Sequence, residues 1–275
     1  MPKDYSAYKN YKVEVNEDKV ATVTINRPEV LNAQNYESRT ELHMIWPDLE
    51  ADEDVKVIIL TGAGRGFCAG GDIKEVSERR ARGESTIVES DRGIPTRSKA
   101  LVHYTEMMLT LSKPIIGAIN GVATGQGCVM ALYCDIVIAA DTATFGDHHV
   151  RVGLAAGDGL TTLWPLLSST HIAMEYMMTG DLMSAQEAYR VGMVNKVVPL
   201  ADLMPTVMSL AKRLAHGPTI AISCVKEAVN KRVLREYNLT WQFSYYGEKR
   251  TFNTEDHVEA ANAFAEKREP QFKGK

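Results

Sequence analysis

Two strand-like runs that each end in a cluster of glycines place the strongest constraint on the fold of this chain. Residues 57–60 (VIIL) precede the cluster FCAGGDIK at 67–74, and residues 115–119 (IIGAI) precede NGVATGQG at 120–127. A helical pattern follows each cluster. Backbone N–H groups at the start of a helix have no partner within the helix and lie at the positive end of its dipole. Two such corners could therefore direct two N–H groups at one oxygen that gains negative charge, as an oxyanion hole does.

The remaining patterns predict repeated strand, strand, helix units rather than simple alternation of strands and helices. Residues 11–15 and 20–25 are predicted strands joined by a turn, and residues 35–49 are a predicted helix with one apolar face. The polar residues 77–96 are interpreted as a partly mobile segment beside the active-site mouth. Such units would stack as the turns of a spiral.

The character of the chain changes beyond Pro199. Amphipathic helical patterns cover residues 203–229, 233–243 and 256–267, with no good strand among them. We therefore expect an α/β protein with a spiral core and active site over residues 1–199. Residues 200–275 would form a C-terminal helical layer over the spiral core.

Charge and hydropathy argue against several classes of function. The chain has 31 Lys and Arg against 35 Asp and Glu, a net charge of −4, and no long basic block, which argues against a nucleic-acid surface. No apolar run approaches the length of a membrane span, which is about 18 residues or more. The first residues carry acids and lack an apolar signal core, so we expect a cytoplasmic protein. The four cysteines lack metal-site spacing, and we expect no metal and no tightly bound cofactor.

Six segments, in order, resemble the crotonase (enoyl-CoA hydratase/isomerase) superfamily. They are INRPEVLNAQN, VIILTGAGRGFCAGGDIKEV, KPIIGAINGVATGQGC, CDIVIAADTATFG, MTGDLMSAQEAYRVGMVNKVV and FAEKREPQFK. The resemblance extends over roughly residues 13–273 without a large insertion. It implies a ββα spiral and chemistry on an acyl-CoA thioester. It also implies assembly as a homotrimer or a dimer of trimers, with oligomer contacts carried by the C-terminal helical layer at residues 200–275. It constrains the reaction less, because catalytic side chains vary on a shared fold.

The resemblance assigns the two oxyanion N–H donors to Gly71 and Gln126. Gly71 suits the role because a missing Cβ lets a carbonyl approach closely, whereas Gln126 replaces the glycine usual at its position. The alternative is that both clusters are only tight turns.

Coenzyme A would enter as part of the substrate. The resemblance places it against the positions Val30, Leu31, Ala69, Asp72 and Ile73, with Phe264 and Lys267 near the nucleotide. A lysine there can pair with a phosphate, and an aromatic ring can cover the adenine. The alternative is that Phe264 packs on its helix and Lys267 is solvated.

The two glutamates that hold water in ordinary hydratases of the family are replaced here by Val129 and His149. Valine cannot transfer a proton, so His149 and Asp158 become the candidate catalytic pair. Their loops, FGDHH and GDG, resemble those of the β-diketone hydrolases of the same superfamily. His149 would be the general base or acid, and Asp158 would orient it or exchange protons with the substrate carbon.

Structural roles are the alternatives for this pair: a buried structural histidine at position 149, and a helix N-cap at Asp158. Asp147 and His148 are second-choice partners, because adjacent residues of an extended segment point to opposite faces.

Three functions follow from this site. The favoured one is an enoyl-CoA hydratase/isomerase-type lyase that adds or removes water, or moves a double bond, through a thioester enolate. The alternative is hydrolysis of a carbon–carbon bond in a β-diketone, free or linked to CoA, by a retro-Claisen step. The third is a catalytically silent family member that acts as a scaffold, against which the polar pair His149 and Asp158 argues.

Overall fold

The computed structural model describes residues 3–83, 94 and 95, and 101–275. The mobile mouth was predicted at residues 77–96, and residues 84–93 and 96 of that segment lie outside the described residues. The described strands are β1 (Tyr11–Val15), β2 (Val20–Ile25), β3 (Val57–Gly62), β4 (Ile94–Pro95), β5 (Leu101–Val102), β6 (Ile115–Ile119), β7 (Val122–Thr124), β8 (Ile136–Ala140), β9 (Thr144–Gly146), β10 (Met183–Ser184) and β11 (Lys196–Val198).

The described α-helices are α1 (Tyr36–Ala51), α2 (Ile73–Ala81), α3 (Tyr104–Thr110), α4 (Gln126–Leu132), α5 (Leu160–Leu167), α6 (Thr170–Thr179), α7 (Ala185–Arg190), α8 (Leu200–Ala215), α9 (Thr219–Thr251) and α10 (Glu255–Glu266). Two short 3-10 helices, Pro28–Val30 and His149–Val152, lie close to the site described below. None of the described helices is both long and apolar enough to cross a membrane.

The main sheet has the strand order β1-β2-β3-β6-β8-β11. β1 and β2 form the predicted antiparallel hairpin, and the other neighbours are parallel. β3 and β6 are buried along their whole length. This burial explains why both are continuous apolar runs rather than alternating ones.

A second, smaller sheet has the order β10-β9-β7. The chain passes from β6 in the main sheet to β7 in the small one and then into α4, and it repeats this path through β8, β9 and α5. An isolated bridge between Cys68 and Ala123 gives β3 the same continuation before α2. The predicted ββα spiral is therefore confirmed.

The core lies between the main sheet and the helices that cover it. α1 buries the apolar face that the sequence predicted, with Leu42, Ile45, Trp46 and Leu49 all fully buried. Burying such a side chain contributes about 1.5–3 kcal/mol. α8 packs on β3, β6 and β8. Because this helix belongs to the same packing as the sheet, the division of the chain at residue 199 stays a prediction.

The helical layer differs from the prediction in its boundaries. The predicted helix over 203–229 is interrupted, because α8 ends at Ala215 and α9 begins after Gly217-Pro218. Proline has no N–H to donate and is accommodated at a helix start rather than in its interior. The predicted break between residues 229 and 233 is absent. The polar residues there, Asn230, Lys231 and Arg232, are compatible with a helix, and α9 continues through them.

Candidate active site

The two glycine bends lie against each other beyond the ends of β3 and β6. Thr124 N–H donates to the carbonyl oxygen of Cys68 at 3.0 Å. A Cβ on Gly127 would lie 2.1 Å from that same oxygen, and a Cβ on Gly70 would lie 3.0 Å from the oxygen of Thr124. Only glycine allows backbones to approach this closely. The bends that the sequence predicted to converge are therefore in direct contact.

Hydrogen bonding around the bends leaves two amide groups for a ligand. Gln34 bonds to the residues on either side of Gly71: its N–H donates to Gly70 O at 2.7 Å, and its oxygen accepts from Asp72 N–H at 3.0 Å. Gly71 N–H therefore points away from Gln34. Gln126 is the first residue of α4, where an N–H has no partner within the helix. In the part of the chain that the structure describes, neither N–H has a protein acceptor.

The imidazole of His149 lies over the second bend. Its Cε1 is 3.9 Å from the position that a Cβ on Gly125 would occupy. The side chain is 15% exposed, so it is not enclosed in the interior. This position brings a titratable ring next to Gln126, one of the two residues with an available amide.

Asp147 orients the ring. Its carboxylate bonds to His149 Nδ1 and also accepts the backbone N–H of His149 at 3.1 Å. The Asp147 side chain is only 2% exposed. Nδ1 is therefore committed to Asp147, and Nε2 is the ring nitrogen left for chemistry.

This contact corrects the predicted ranking of the carboxylates. Asp158 was the expected orienting group, and no hydrogen bond joins it to His149 among the described residues. The prediction assumed an extended segment at 147–149. Instead, His149 begins a 3-10 turn, and that turn brings its ring back to the carboxylate two residues earlier.

Asp158 lies in a loop between Gly157 and Gly159. At both glycines a larger side chain would clash with a neighbouring residue. A Cβ on Gly157 would lie 2.1 Å from Glu248 Oε2, and one on Gly159, at φ +111°, would lie 2.5 Å from the hydroxyl oxygen of Tyr133. Gly159 immediately precedes α5 and is its N-cap residue, so Asp158 lies one residue before the N-cap. The backbone N–H of Leu160, the first residue of α5, bonds to the Asp158 carboxylate and acts to lower its pKa. Asp158 Oδ1 is buried and has no hydrogen-bond partner in the described part of the chain.

Glu248 on α9 is a third carboxylate at the site, and the sequence analysis missed it. Its Oε1 lies 3.9 Å from His149 Nε2, and its side chain is 19% exposed. The hydroxyls of Thr161 on α5 and Ser244 on α9, 2.6 Å apart, help to fix α9 at this distance. No local pattern marks Glu248, because it is one of several charged residues near the end of a long helix.

The charges around His149 set its protonation. Burial by itself lowers the pKa of His149, but the negative charges of Asp147, Asp158 and Glu248 outweigh burial and raise the pKa to about 10. Burial raises the pKa of Asp158 to about 6, although the positive charge of His149 opposes the rise. Burial also acts to raise the pKa of Asp147, but the contacts with His149 prevail and lower it.

At neutral pH the site therefore contains an imidazolium that can donate a proton and, at Asp158, a carboxylate that can accept one. Two titratable groups whose environments move their pKa values apart are typical of an acid and a base in one active site. Val129, at the position of the first missing glutamate, is fully buried in α4.

The predicted CoA positions divide into two groups. Ala69 N–H donates to Leu31 O at 3.0 Å, so the front loop with Val30 and Leu31 lies beside the first glycine bend. The carboxylate of Asp72 is held by Arg27 at 3.1 Å, which leaves its backbone rather than its side chain for a ligand, and Ile73 begins α2.

Phe264 and Lys267 are exposed at the end of α10. That helix packs on the 3-10 helix His149–Val152, where His257 Nδ1 lies 2.8 Å from Val152 O. The CoA contacts of Phe264 and Lys267 stay a prediction. The described residues contain no group of three or more side chains placed to hold a metal ion.

Comparison with known proteins gives matches over nearly the whole chain. A model of the enoyl-CoA hydratase/isomerase family matches residues 15–275. The short-chain-enoyl-CoA hydratase of Clostridium acetobutylicum is 37% identical over 253 residues, which cover 92% of this chain and 93% of that protein. The 1,2-epoxyphenylacetyl-CoA isomerase of Escherichia coli is 34% identical over 256 residues, which cover 93% and 95%. The crystal structure of carnitinyl-CoA hydratase from Mycobacterium avium has a TM-score of 0.83 and 30% identity, and the match covers 98% of this chain and 100% of that one.

Proposed function

The chain belongs to the enoyl-CoA hydratase/isomerase family, and we propose that it adds water to the double bond of an enoyl-CoA thioester, or removes it, with His149 and Asp158 in place of two glutamates. Coenzyme A enters this scheme as part of the substrate. A cytoplasmic location and assembly as a trimer or dimer of trimers stay predictions from the sequence.

The thioester oxygen binds between the N–H groups of Gly71 and Gln126. When water adds to the carbon β to the carbonyl, electrons move through the conjugated system onto this oxygen and form an enolate. Donors fixed in position before the reaction stabilise that charge, and one such donor typically accounts for about 3–4 kcal/mol. The positive end of α4 adds to the same effect.

Protons move between two groups. The Asp158 carboxylate takes a proton from the attacking water as its oxygen bonds to the β carbon. The imidazolium of His149 donates its Nε2 proton to the α carbon of the enolate. Asp158 then returns a proton to His149, so that one water has been added and the site is reset. Asp147 holds the ring throughout, and Glu248 stabilises the cation from the Nε2 side.

One observation carries this proposal: the His149 imidazole lies directly over the glycine bend that presents the Gln126 amide. A proton donor and an oxyanion donor on the same bound substrate are what enolate chemistry needs. The relatives described above are named as hydratases and an isomerase of CoA thioesters. Their names support an acyl-CoA substrate, whereas the assignment of proton donor and acceptor rests on the geometry of the site.

The test is hydration of crotonyl-CoA, followed by the loss of absorbance of the conjugated thioester. We expect His149→Ala and Asp158→Asn each to lower kcat by about 10²–10⁴, the range typical of a general acid or base. His171→Ala is the control, because His171 is exposed on α6 and should leave kcat unchanged. Full turnover by both site variants, or no turnover of any enoyl-CoA by the wild-type protein, would contradict the proposal.

Hydrolysis of a β-diketone is the second candidate. The observation in its favour is that apolar Val129 is buried where a water-binding glutamate was expected, while Asp158 keeps a buried, unpartnered oxygen. Water would attack one carbonyl carbon, the bond to the carbon between the carbonyls would break, and that carbon would be protonated. Incubation with a cyclic 1,3-diketone should then release an open-chain keto acid, and its absence would exclude this reaction for the compound tested.

A further inference from the structure

A buried polar network joins the first strand of the main sheet to the glycine bend that presents the Gly71 amide. The hydroxyl of Tyr11, in β1, donates to Gln34 Oε1 at 2.7 Å. The side-chain amide of Gln34 donates to Asn32 O at 3.1 Å and lies 3.8 Å from Cys68 Sγ, within the bend. We call Tyr11 and Gln34 the Tyr11–Gln34 pair. Both side chains belong to residues that are at most 2% exposed, and neither takes part in the proposed proton transfers.

Each polar atom at the end of the Gln34 side chain has a partner. Oε1 accepts one hydrogen bond, and Nε2 faces a carbonyl oxygen and a sulfur atom. Burial raises the pKa of Tyr11 well above its ordinary value, so the hydroxyl keeps its proton and acts as the donor. A buried polar network whose members are all satisfied holds its side chains in one arrangement. The direction of the Gln34 side chain is therefore fixed.

The backbone of Gln34 sets the direction of the Gly71 amide. Gln34 and Gly71 form a parallel bridge, in which Gln34 N–H donates to Gly70 O at 2.7 Å and Gln34 O accepts from Asp72 N–H at 3.0 Å. The residue between two such contacts directs its own N–H to the opposite edge of the strand. The space beside Gly71 is open, since no atom lies within 4 Å of an added Cβ. The orientation of Gly71 therefore depends on its two neighbours, which Gln34 holds.

An apolar pair of similar shape would fill the same space without the cost of burying polar groups. Burial of an amide or a hydroxyl costs free energy that its new hydrogen bonds only offset. Replacing both partners of a buried hydrogen bond by apolar groups can be nearly neutral for stability. What the hydrogen bonds add is direction, because apolar contacts fix the orientation of a side chain far less strictly. The Tyr11–Gln34 pair is therefore better explained by orientation than by stability.

We propose that Tyr11 and Gln34 are positioning residues of the oxyanion hole. Tyr11 holds the side chain of Gln34, and Gln34 holds the residues on both sides of Gly71, so that the Gly71 N–H is directed at the substrate oxygen before the substrate binds. This inference rests on the proposed function, in which that N–H stabilises an enolate. Donors fixed in advance need no reorganisation during the reaction, and a displacement of about 1 Å can cost on the order of a hundredfold in rate.

Three variants separate positioning from stability: Tyr11→Phe, Gln34→Leu and the double variant. Each single substitution leaves one buried polar group without its partner and should lower the melting temperature. The double variant removes both partners and should recover most of that loss. In the hydration of crotonyl-CoA, kcat should instead fall about tenfold or more in all three variants. KM should change little, because the amide interacts more strongly with the enolate than with the ground-state thioester.

The absorbance of bound 4-(dimethylamino)cinnamoyl-CoA measures the oxyanion hole without any turnover. Hydrogen bonds to the thioester oxygen of this probe draw electrons from the amino group along the conjugated chain and shift the absorbance to longer wavelength. The shift should be smaller in all three variants than in the wild-type protein. Reduced shifts together with no hydration of crotonyl-CoA by the wild-type protein would support the positioning role and contradict the proposed function.

Tyr5→Phe is the matched control. Tyr5 is also buried, and its hydroxyl donates to Asp52 Oδ2 at 2.7 Å, but Asp52 follows the far end of α1 from the bend. This substitution should lower the melting temperature and leave kcat and the absorbance shift unchanged. The proposal is overturned if the variants of the Tyr11–Gln34 pair keep the wild-type kcat and shift, or if both quantities recover with the melting temperature in the double variant. It is also overturned if the wild-type protein shows no shift.

Discussion

Replacing Asp147 with asparagine should change how His149 titrates while leaving the shape of the site intact. Asp147 and asparagine have nearly the same size, and the amide oxygen can still accept a hydrogen bond from Nδ1–H. What disappears is one negative charge, 2% exposed, in contact with the ring. The substitution therefore separates the electrostatic role of Asp147 from its orienting role.

The magnitude follows from the charges at the site. The pKa of His149 is raised from an ordinary 6.5 to about 10, and each pKa unit corresponds to about 1.4 kcal/mol. Two unit charges about 4 Å apart interact by about 4 kcal/mol in an effective dielectric of about 20, which corresponds to roughly 3 pKa units. We therefore expect Asp147→Asn to lower the pKa of His149 by about 2–3 units.

The assay is an NMR titration of the histidine ring signals alongside the pH profile of kcat for enoyl-CoA hydration. If the imidazolium is the proton donor, activity is lost as pH rises through the pKa of His149. The wild-type profile should then hold until near pH 10, and the alkaline limb of Asp147→Asn should lie about 2–3 units lower.

Asp181→Asn provides the matched control. Asp181 pairs with Arg151 of the same 3-10 helix at 2.7 Å, but its side chain is 64% exposed, so solvent screens its charge. Its removal should leave the alkaline limb in place. An unmoved limb in Asp147→Asn, or an equal shift in both variants, would refute the assignment of His149 as a cationic donor held by Asp147.

Three further predictions concern the base, the glycine bends and the core. Asp158 must be ionised to accept a proton, so wild-type activity should fall below about pH 6, its raised pKa; Asp158→Asn should abolish this acid limb and lower kcat by about 10²–10⁴. Gly71→Ala places a Cβ with no atom within 4 Å, so calorimetry should show an unchanged melting temperature, whereas kcat/KM should fall about tenfold or more because a methyl group crowds the oxyanion donor. Gly127→Ala, whose Cβ would lie 2.1 Å from a backbone oxygen, should instead lower the free energy of unfolding by about 3 kcal/mol; equal stability of the two alanine variants would contradict the contact between the bends. Lys226 is 4% exposed and lies 2.8 Å from Asp135. Its replacement by alanine should lower the free energy of unfolding, measured in urea, by about 3–5 kcal/mol, because the Asp135 carboxylate loses its buried partner.

The parts of the fold that the sequence predicted well are those specified by neighbouring residues. The first two strands, the apolar face of α1 and the positions of both glycine bends follow from local alternation, helical periodicity and the backbone freedom of glycine. The assignment of the oxyanion donors to Gly71 and Gln126 came instead from the resemblance to the family, because the local pattern predicts only that each strand–glycine–helix corner leaves N–H groups available.

The predictions that failed depended on how a local turn closes or where a helix breaks. Asp147 was ranked below Asp158 because residues 147–149 were taken as extended, whereas a 3-10 turn brings the carboxylate to His149 Nδ1. The helical layer was divided at the wrong place because Gly217-Pro218, rather than the polar residues near 230, interrupts it.

The sequence by itself determined the spiral of strands and the two glycine bends, and its resemblance to the family supplied Gly71 and Gln126 as candidate donors and His149 and Asp158 as the candidate pair. Only the tertiary structure decided that Glu248 reaches the site from α9 and that Asp147 holds the imidazole. The physical reason is that a glycine bend is encoded by adjacent residues. The distance from Glu248 to His149, and the pKa values that depend on it, arise from the packing of helices far apart in the chain, which no local pattern records.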